Sequence, residues 1–408
     1  MIPKNRREKL LSQLDDGALV IISTNPQQYR NGDTHYPFRP HSDFWYLTGF
    51  KEPETVAVFS KKHYTIFLQE KNPAREIWDG ERLGIAKALQ TLGANQAYPI
   101  NKLKAQLPLL IKEATTLYYD FKACALDDDI IECLDGAKTQ SLGEHLHEMR
   151  LIKEDNEIVL MQKAADISIQ AHQLAMQQAK IGLAGLFEYE VVSIFDAEFR
   201  KNNAEHAYTP IVAGGKNGCI LHYIKNDQVL NEGDLLLIDV GCEVEGYAAD
   251  ITRTFPVNGK FSQAQRQIYQ IVLEAQLAAI ACIKPGEVVI KPHQIASKII
   301  QQGLIDLGIL QTGGDLSQFY MHGTGHWLGL DVHDVGRYQQ GKQHRQYEIG
   351  MVTTVEPGIY IRKSDKIDPE YWDIGIRIED DVLVTDNGNS VLTKALVKEI
   401  DDIENLMK

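Results

Sequence analysis

The chain has 408 residues, of which 44% are hydrophobic and 24% charged, and its formal net charge is −14. That length predicts two domains rather than one core, the acidic balance excludes nucleic acid as a partner, and no window holds the roughly 18 uninterrupted apolar residues of a membrane span or the apolar run of a secretory signal behind Met1–Glu8. Five widely spaced cysteines (Cys124, Cys133, Cys219, Cys242, Cys282) form no Cys-x-x-Cys pair, so a reducing cytoplasm is expected and a disulfide framework or thiolate zinc site is not.

In chain order, about the first 145 residues alternate β-prone runs with helical stretches, which predicts an α/β domain. The runs are Ala18–Ile22, Thr55–Phe59 and Tyr64–Leu68; Gln28–Asp33 reads as a loop by composition. Apolar residues then recur at helical spacing at Ile158, Met161, Ala165, Ile169, His172, Ala175 and Met176. Glu154 and Asp155 put negative charge at the start of this helix, and Gly182 and Gly185 lie past its end. A domain boundary is therefore expected near residue 150. Beyond it, helices are expected over roughly 186–202, 262–283 and 291–307, with strands bounded by glycine. The end, Lys398–Glu404, reads as a solvated charged tail or short helix.

The chemistry lies among those later strands. Leu235–Ile238 runs straight into Asp239, and a carboxylate on a buried strand needs a cation or donors. Asp250 follows eleven residues later, past the hairpin-like Glu243–Tyr247, and shares a face with Thr252 and Thr254 by period two. Alone, Asp239 reads as a turn cap; two converging aspartates repel unless a divalent ion lies between them. The segment Met321–Asp334 holds His322, His326 and His333 among interleaved glycines, a strand-and-loop arrangement rather than a helical zinc motif. Met351–Glu356 repeats the pattern of an apolar strand ending in an acid. In Ile374–Val382, Arg377 and Glu379 share one face; an exposed ion pair worth little is the alternative there. Together these acids and one histidine suit Mn²⁺, Co²⁺, Fe²⁺ or Zn²⁺, and two ions about 3.5–4 Å apart, which can hold a hydroxide and clamp an oxyanion.

Over residues 150–400 this pattern resembles the pita-bread metallopeptidases, which include methionine aminopeptidase, prolidase, aminopeptidase P and creatinase. Within that group Arg39–Phe50 resembles the N-terminal signature of the Xaa-Pro aminopeptidases (aminopeptidase P), and Met149–Lys153 resembles their junction. The resemblance implies an α/β, creatinase-like N-terminal domain over 1–150, serving substrate access and oligomer contacts, and an α+β pita-bread catalytic domain over 151–408. It implies two divalent ions, Mn²⁺ first, on Asp239, Asp250, His326, Glu356 and Glu379, with Asp250 and Glu379 bridging. His222, His322 and His333 would bind the scissile carbonyl and proline and stabilise the tetrahedral intermediate, and Glu356 would take a proton. Arg377 and Tyr360 match a pair beside the site, Tyr208 a pocket-lining position, and Trp78 a residue reaching a neighbouring subunit's pocket. The implied enzyme is a cytoplasmic homodimer or homotetramer that releases the residue before proline from peptides. Prolidase, which acts on Xaa-Pro dipeptides, and a silent pita-bread binding module are the alternatives; the complete ligand set favours an enzyme.

Overall fold

The computed structural model describes residues 2–120, 125–134, 136–178 and 182–408, so Cys124 lies outside the described residues. Two compact units result, Met1–Met149 and Arg150–Lys408. Among the described residues no helix is long and apolar enough to cross a membrane.

The first unit is built on six strands: β1 (Ala18–Ser23), β2 (Val56–Phe59), β3 (Tyr64–Leu68), β4 (Gln96–Pro99), β5 (Thr116–Tyr118) and β6 (Thr139–Gln140). Their order is β4-β3-β2-β1-β5-β6. The hairpin-connected β2–β3 and the β1–β2 pair are antiparallel, whereas β3–β4, β1–β5 and β5–β6 are parallel. Strands β1, β2 and β3 are buried at every residue, which is why they read as continuous apolar runs rather than alternations. Leu19, Ile21, Val56, Val58 and Phe67 pack there against Leu103 and Leu107. The stretch expected as a loop, Gln28–Asp33, instead contributes to a short exposed ribbon of Tyr29–Asn31 and Thr34–His35. Gly32, at φ 47°, supplies the positive φ that a two-residue turn requires. In the Arg39–Phe50 segment, helix Ser42–Thr48 starts under His41 Nδ1, which accepts the Asp43 N–H at 3.2 Å.

The second unit has a three-stranded antiparallel sheet of β7 (Ile211–Gly214), β8 (Leu235–Asp239) and β9 (Thr252–Pro256). A second sheet is formed by β10 (Val352–Val355), β13 (Asp380–Thr385) and β14 (Gly388–Val391), with β13 central. Between them in sequence, β11 (Gly358–Ile361) and β12 (Ile374–Arg377) pair as a ribbon. Four helices accompany these sheets: Asp155–Gln177, Glu188–Lys201, Gln263–Cys282 and Lys291–Asp306. The third starts at a capping box, in which Ser262 Oγ accepts the Gln265 N–H and Gln265 Oε1 accepts the Ser262 N–H. Its Ile268, Val272, Ala275 and Ala279 are fully buried at helical spacing.

Two local expectations change. The C-terminus is the short helix of the two readings, Ile400–Leu406, but packed rather than solvated, because Ile400 and Ile403 are buried despite the charged neighbours. The single hairpin expected between Asp239 and Asp250 is divided. Its inner arms, Cys242–Val244 and Tyr247–Ala248, join Glu205–His206 in a different sheet. Asp239 pairs with Thr252, so Asp250 stands two residues before that pair. The crossing of the two chain segments is close enough that a Cβ on Gly241 would lie 1.9 Å from the Ala249 carbonyl oxygen.

Candidate active site

Each acid reaches the site from the end of a strand. Asp239 ends β8, Asp250 precedes β9, Glu356 follows β10, and Glu379 occupies the bend between β12 and β13. His326 comes from a segment without regular strand structure, tied alongside β10 by Thr354 N–H to His326 O (2.9 Å) and Glu356 N–H to Thr324 O (2.8 Å). The approach leaves no room for a side chain at Gly325, whose Cβ would lie 2.0 Å from the Thr354 carbonyl oxygen. That steric demand explains the glycines between the histidines.

These five side chains line one cavity of about 490 Å³, together with Tyr208, His222, His322, His333 and Arg377. Asp250, His326 and Glu379 each offer a donor atom within 4.8 Å of the others. His326 Nε2 is 3.3 Å from Asp250 Oδ2 and 3.5 Å from Glu356 Oε1. Its Nδ1 is 3.0 Å from the Trp327 carbonyl, which can only accept, so Nδ1 carries a proton and Nε2 turns to the acids.

Burial, then the charges of Asp250, Glu356 and Asp239, drive the Glu379 carboxyl well above the usual carboxylate range. Burial also raises Glu356, to about 7, against the pull of His326 and Arg377. Asp239 is raised by burial despite the neighbouring guanidinium. Burial pushes Asp250 up too, but the hydrogen bond and charge of His326 carry it net below its ordinary value. Burial works against the His326 cation, yet Asp250 and Glu356 lift it to about 9. Four carboxylates, three buried and Glu356 half-buried, face one arginine and one histidine, so protons are drawn in to relieve the repulsion. Divalent cations with a preference for oxygen and imidazole donors do the same work, and this donor set fits them.

Further side chains fix the acids. Tyr208 OH donates to Asp239 Oδ1 at 2.7 Å, and Arg377 Nη2 donates to Asp239 Oδ2 at 2.6 Å. Arg377 Nε reaches Thr252 Oγ1 at 3.1 Å, and the Thr252 hydroxyl donates to Glu379 Oε2 at 2.8 Å. The exposed Arg377–Glu379 pair is therefore not formed: both residues are buried, and the guanidinium serves Asp239. Tyr360 is also buried and does not line the cavity; it accepts from Arg377 Nη1 at 3.0 Å and meets His322 Nε2 at 2.8 Å. His322 Nδ1 contacts the Gly323 carbonyl at 2.7 Å, so both nitrogens of that ring are engaged within the protein. His333 packs edge-on against His326, with ring centroids 4.3 Å apart, and His222 lies across the cavity wall. Trp78, in the first unit, is 82% exposed. Sequence reasoning passed over Thr354, whose hydroxyl accepts the His326 N–H at 3.1 Å and faces Glu356 Oε1 at 3.4 Å. Its only signal was alternation with Val352 and Glu356 along β10.

Residues 159–386 match the family model of metallopeptidase family M24, and residues 4–118 match that of the aminopeptidase P N-terminal domain. The chain is 46% identical to a Xaa-Pro aminopeptidase of Haemophilus influenzae, over 99% of this chain and 96% of that protein. It is 41% identical to the Xaa-Pro aminopeptidase of Escherichia coli, over 99% of this chain and 97% of that one. Among solved structures, aminopeptidase PepP of Pseudomonas aeruginosa superposes with a TM-score of 0.95 at 41% identity, covering 100% of this chain and 99% of its own.

Proposed function

The chain belongs to metallopeptidase family M24 and is a metal-dependent peptidase, and on that premise we propose that it releases the N-terminal residue from peptides whose second residue is proline. The observation that carries this reading is the convergence of Asp239, Asp250, His326, Glu356 and Glu379 on one cavity beside His222 and His333. Its named relatives are Xaa-Pro aminopeptidases, which supports the substrate class.

The five residues would hold two divalent ions, Mn²⁺ in the first instance. Bound ions supply Lewis-acid polarisation of the scissile carbonyl and acidify the attacking water. The chain's own groups do the rest. Asp239, fixed at both oxygens by Tyr208 and Arg377, marks the place for the substrate's free amine. Glu356, whose Oε1 lies 3.5 Å from His326 Nε2 at the cavity wall, is the proton acceptor. His322 is held neutral, its ring pushed down to about 4 chiefly by burial, and is oriented by Tyr360. With both its nitrogens engaged, carbonyl recognition falls to His222 and His333. A tertiary amide to proline has no N–H to bind, so the ring is recognised by shape, against Leu221, Ile224 and Val332.

The first unit, residues 1–150, would govern access and oligomer contacts. Ile77 and Trp78 are 81% and 82% exposed there, an apolar pair that a homodimer or homotetramer would cover. The four described cysteines are free, which supports a cytoplasmic site of action.

One assay tests the substrate reading: Xaa-Pro-Xaa peptides, Xaa-Pro dipeptides and Met-Ala peptides, each with Mn²⁺ and with chelator. Cleavage of the Xaa-Pro-Xaa set with Mn²⁺ alone is expected. Cleavage restricted to dipeptides would make the chain a prolidase, and unchanged turnover in His333→Ala would remove that histidine from proline recognition.

A further inference from the structure

Arg150 and Lys153 immediately precede helix Asp155–Gln177 and line no part of the cavity. Both are nevertheless buried cations, with side chains 2% and 1% exposed. They converge on one carboxylate, Asp334, whose side chain is 1% exposed. Lys153 Nζ lies 3.0 Å from Asp334 Oδ2, while Arg150 Nη2 pairs with Asp334 Oδ1 and also reaches Asp331 Oδ2 at 2.8 Å. The guanidinium thus spans both sides of His333.

The other end of the same segment is tied to this cluster. The Asp334 N–H donates to the Trp327 carbonyl at 2.9 Å, the same oxygen that receives His326 Nδ1 at 3.0 Å. One carbonyl therefore sets the orientation of the His326 ring and the return of the chain to Asp334. The fold is tight: a Cβ on Gly329 would lie 2.1 Å from Asp334 Oδ2 and 2.9 Å from Lys153 Cε. The edge-on contact of His333 with His326 closes the loop.

A buried ion cluster is weak evidence of stability by itself, because desolvation offsets much of the attraction. Its placement is more informative, since partners that orient a metal-binding imidazole tune its affinity. We infer that Arg150, Lys153 and Asp334 are positioning residues that hold the 326–334 segment so that His326 Nε2 and His333 face the cavity in fixed register. The inference rests on His326 being a metal ligand.

Asp334→Asn removes the charge at constant shape, and Arg150→Lys keeps the charge but replaces the planar guanidinium whose Nη2 bridges Asp331 and Asp334. Calorimetric titration of each metal-free variant with Mn²⁺ is expected to show affinity about 10–100-fold weaker than wild type. On an Xaa-Pro-Xaa peptide, kcat should fall by a similar factor with KM within about threefold. Folding is checked by circular dichroism and the thermal transition. A folded variant with wild-type Mn²⁺ affinity and kcat would overturn the inference. Loss of the folded state in both variants would also overturn it, assigning the cluster to stability alone. Failure of the wild-type protein to bind Mn²⁺ would instead overturn the proposed function, so the two failures are distinguishable.

Discussion

Glu379 and Asp380 are adjacent, both acidic and both buried, yet they sit in opposite electrostatic worlds. Glu379 faces Asp239, Asp250 and Glu356 and is driven well above the usual carboxylate range, first by burial and then by those charges. Asp380 turns the other way, where burial is outweighed by Arg253 and Lys398 and its carboxyl is held down to about 2. Arg253 Nη2 and Lys398 Nζ lie 2.8 and 2.6 Å from its oxygens, and Gln276 and Thr393 add hydrogen bonds at 2.7 and 2.8 Å. A carboxylate whose cations come from the protein is a structural element. A cluster whose carboxylates outnumber its cations is incomplete without something from solution.

The largest effect that would break this contrast is on turnover. Glu379→Gln should lower kcat/KM on an Xaa-Pro-Xaa peptide by about 10³-fold or more, as expected when charge aimed at the reacting centre is lost. Chelator should do the same to wild type, with recovery on adding Mn²⁺. In the metal-free protein the same substitution should leave the denaturant midpoint unchanged or raised, because it removes repulsion. A lowered midpoint would place Glu379 with Asp380.

Asp380→Asn should behave in the reverse manner. It strands the buried Arg253 and the half-buried Lys398 and should cost about 3–5 kcal/mol in unfolding free energy. Denaturant titration checks this, and a loss under about 1 kcal/mol would sink the contrast.

The pH dependence of the metal-free protein should show the two environments with opposite slopes. Glu356 rises from 4.5 to about 7 on folding, so its contribution is complete below about pH 4.5 and is lost as pH climbs through about 7. Asp380 falls from 3.8 to about 2, so its contribution is present above about pH 3.8 and is lost as pH drops through about 2. His172 and His322, pushed down to about 3 and about 4 chiefly by burial, gain stability over part of the same range, so the acid is isolated by difference. In thermal melts the stability of metal-free wild type relative to Glu356→Gln should fall from pH 4.5 to 7, and excess Mn²⁺ should flatten that fall. A wild type that gains stability relative to Glu356→Gln between pH 4.5 and 7 would contradict the crowding of acids.

The smallest effect sharpens the contrast inside the site. Tyr208→Phe deletes one of two donors to Asp239 and should lower kcat about tenfold, the scale of one hydrogen bond to a charged group. An unchanged kcat would mean that Arg377 alone positions Asp239.

Much was legible from the chain itself. The apolar runs before Asp239 and Glu356 marked buried strands that end in acids, because burial and strand length are written in local composition. The long helix from Asp155 followed from its spacing and its acidic start. The glycines beside His326 announced a close approach, although not its partner, β10.

Tertiary structure decided which buried acid is compensated, since the arginine and lysine that serve Asp380 stand at 253 and 398, far from it in sequence. It also divided the hairpin between Asp239 and Asp250 and engaged both nitrogens of His322. Sequence alone determined the residue types, the local periodicity and hence the candidate ligands. Pairing between distant strands decided the rest, because a side chain's charge state and free valences depend on neighbours that only the folded chain brings within a few ångströms.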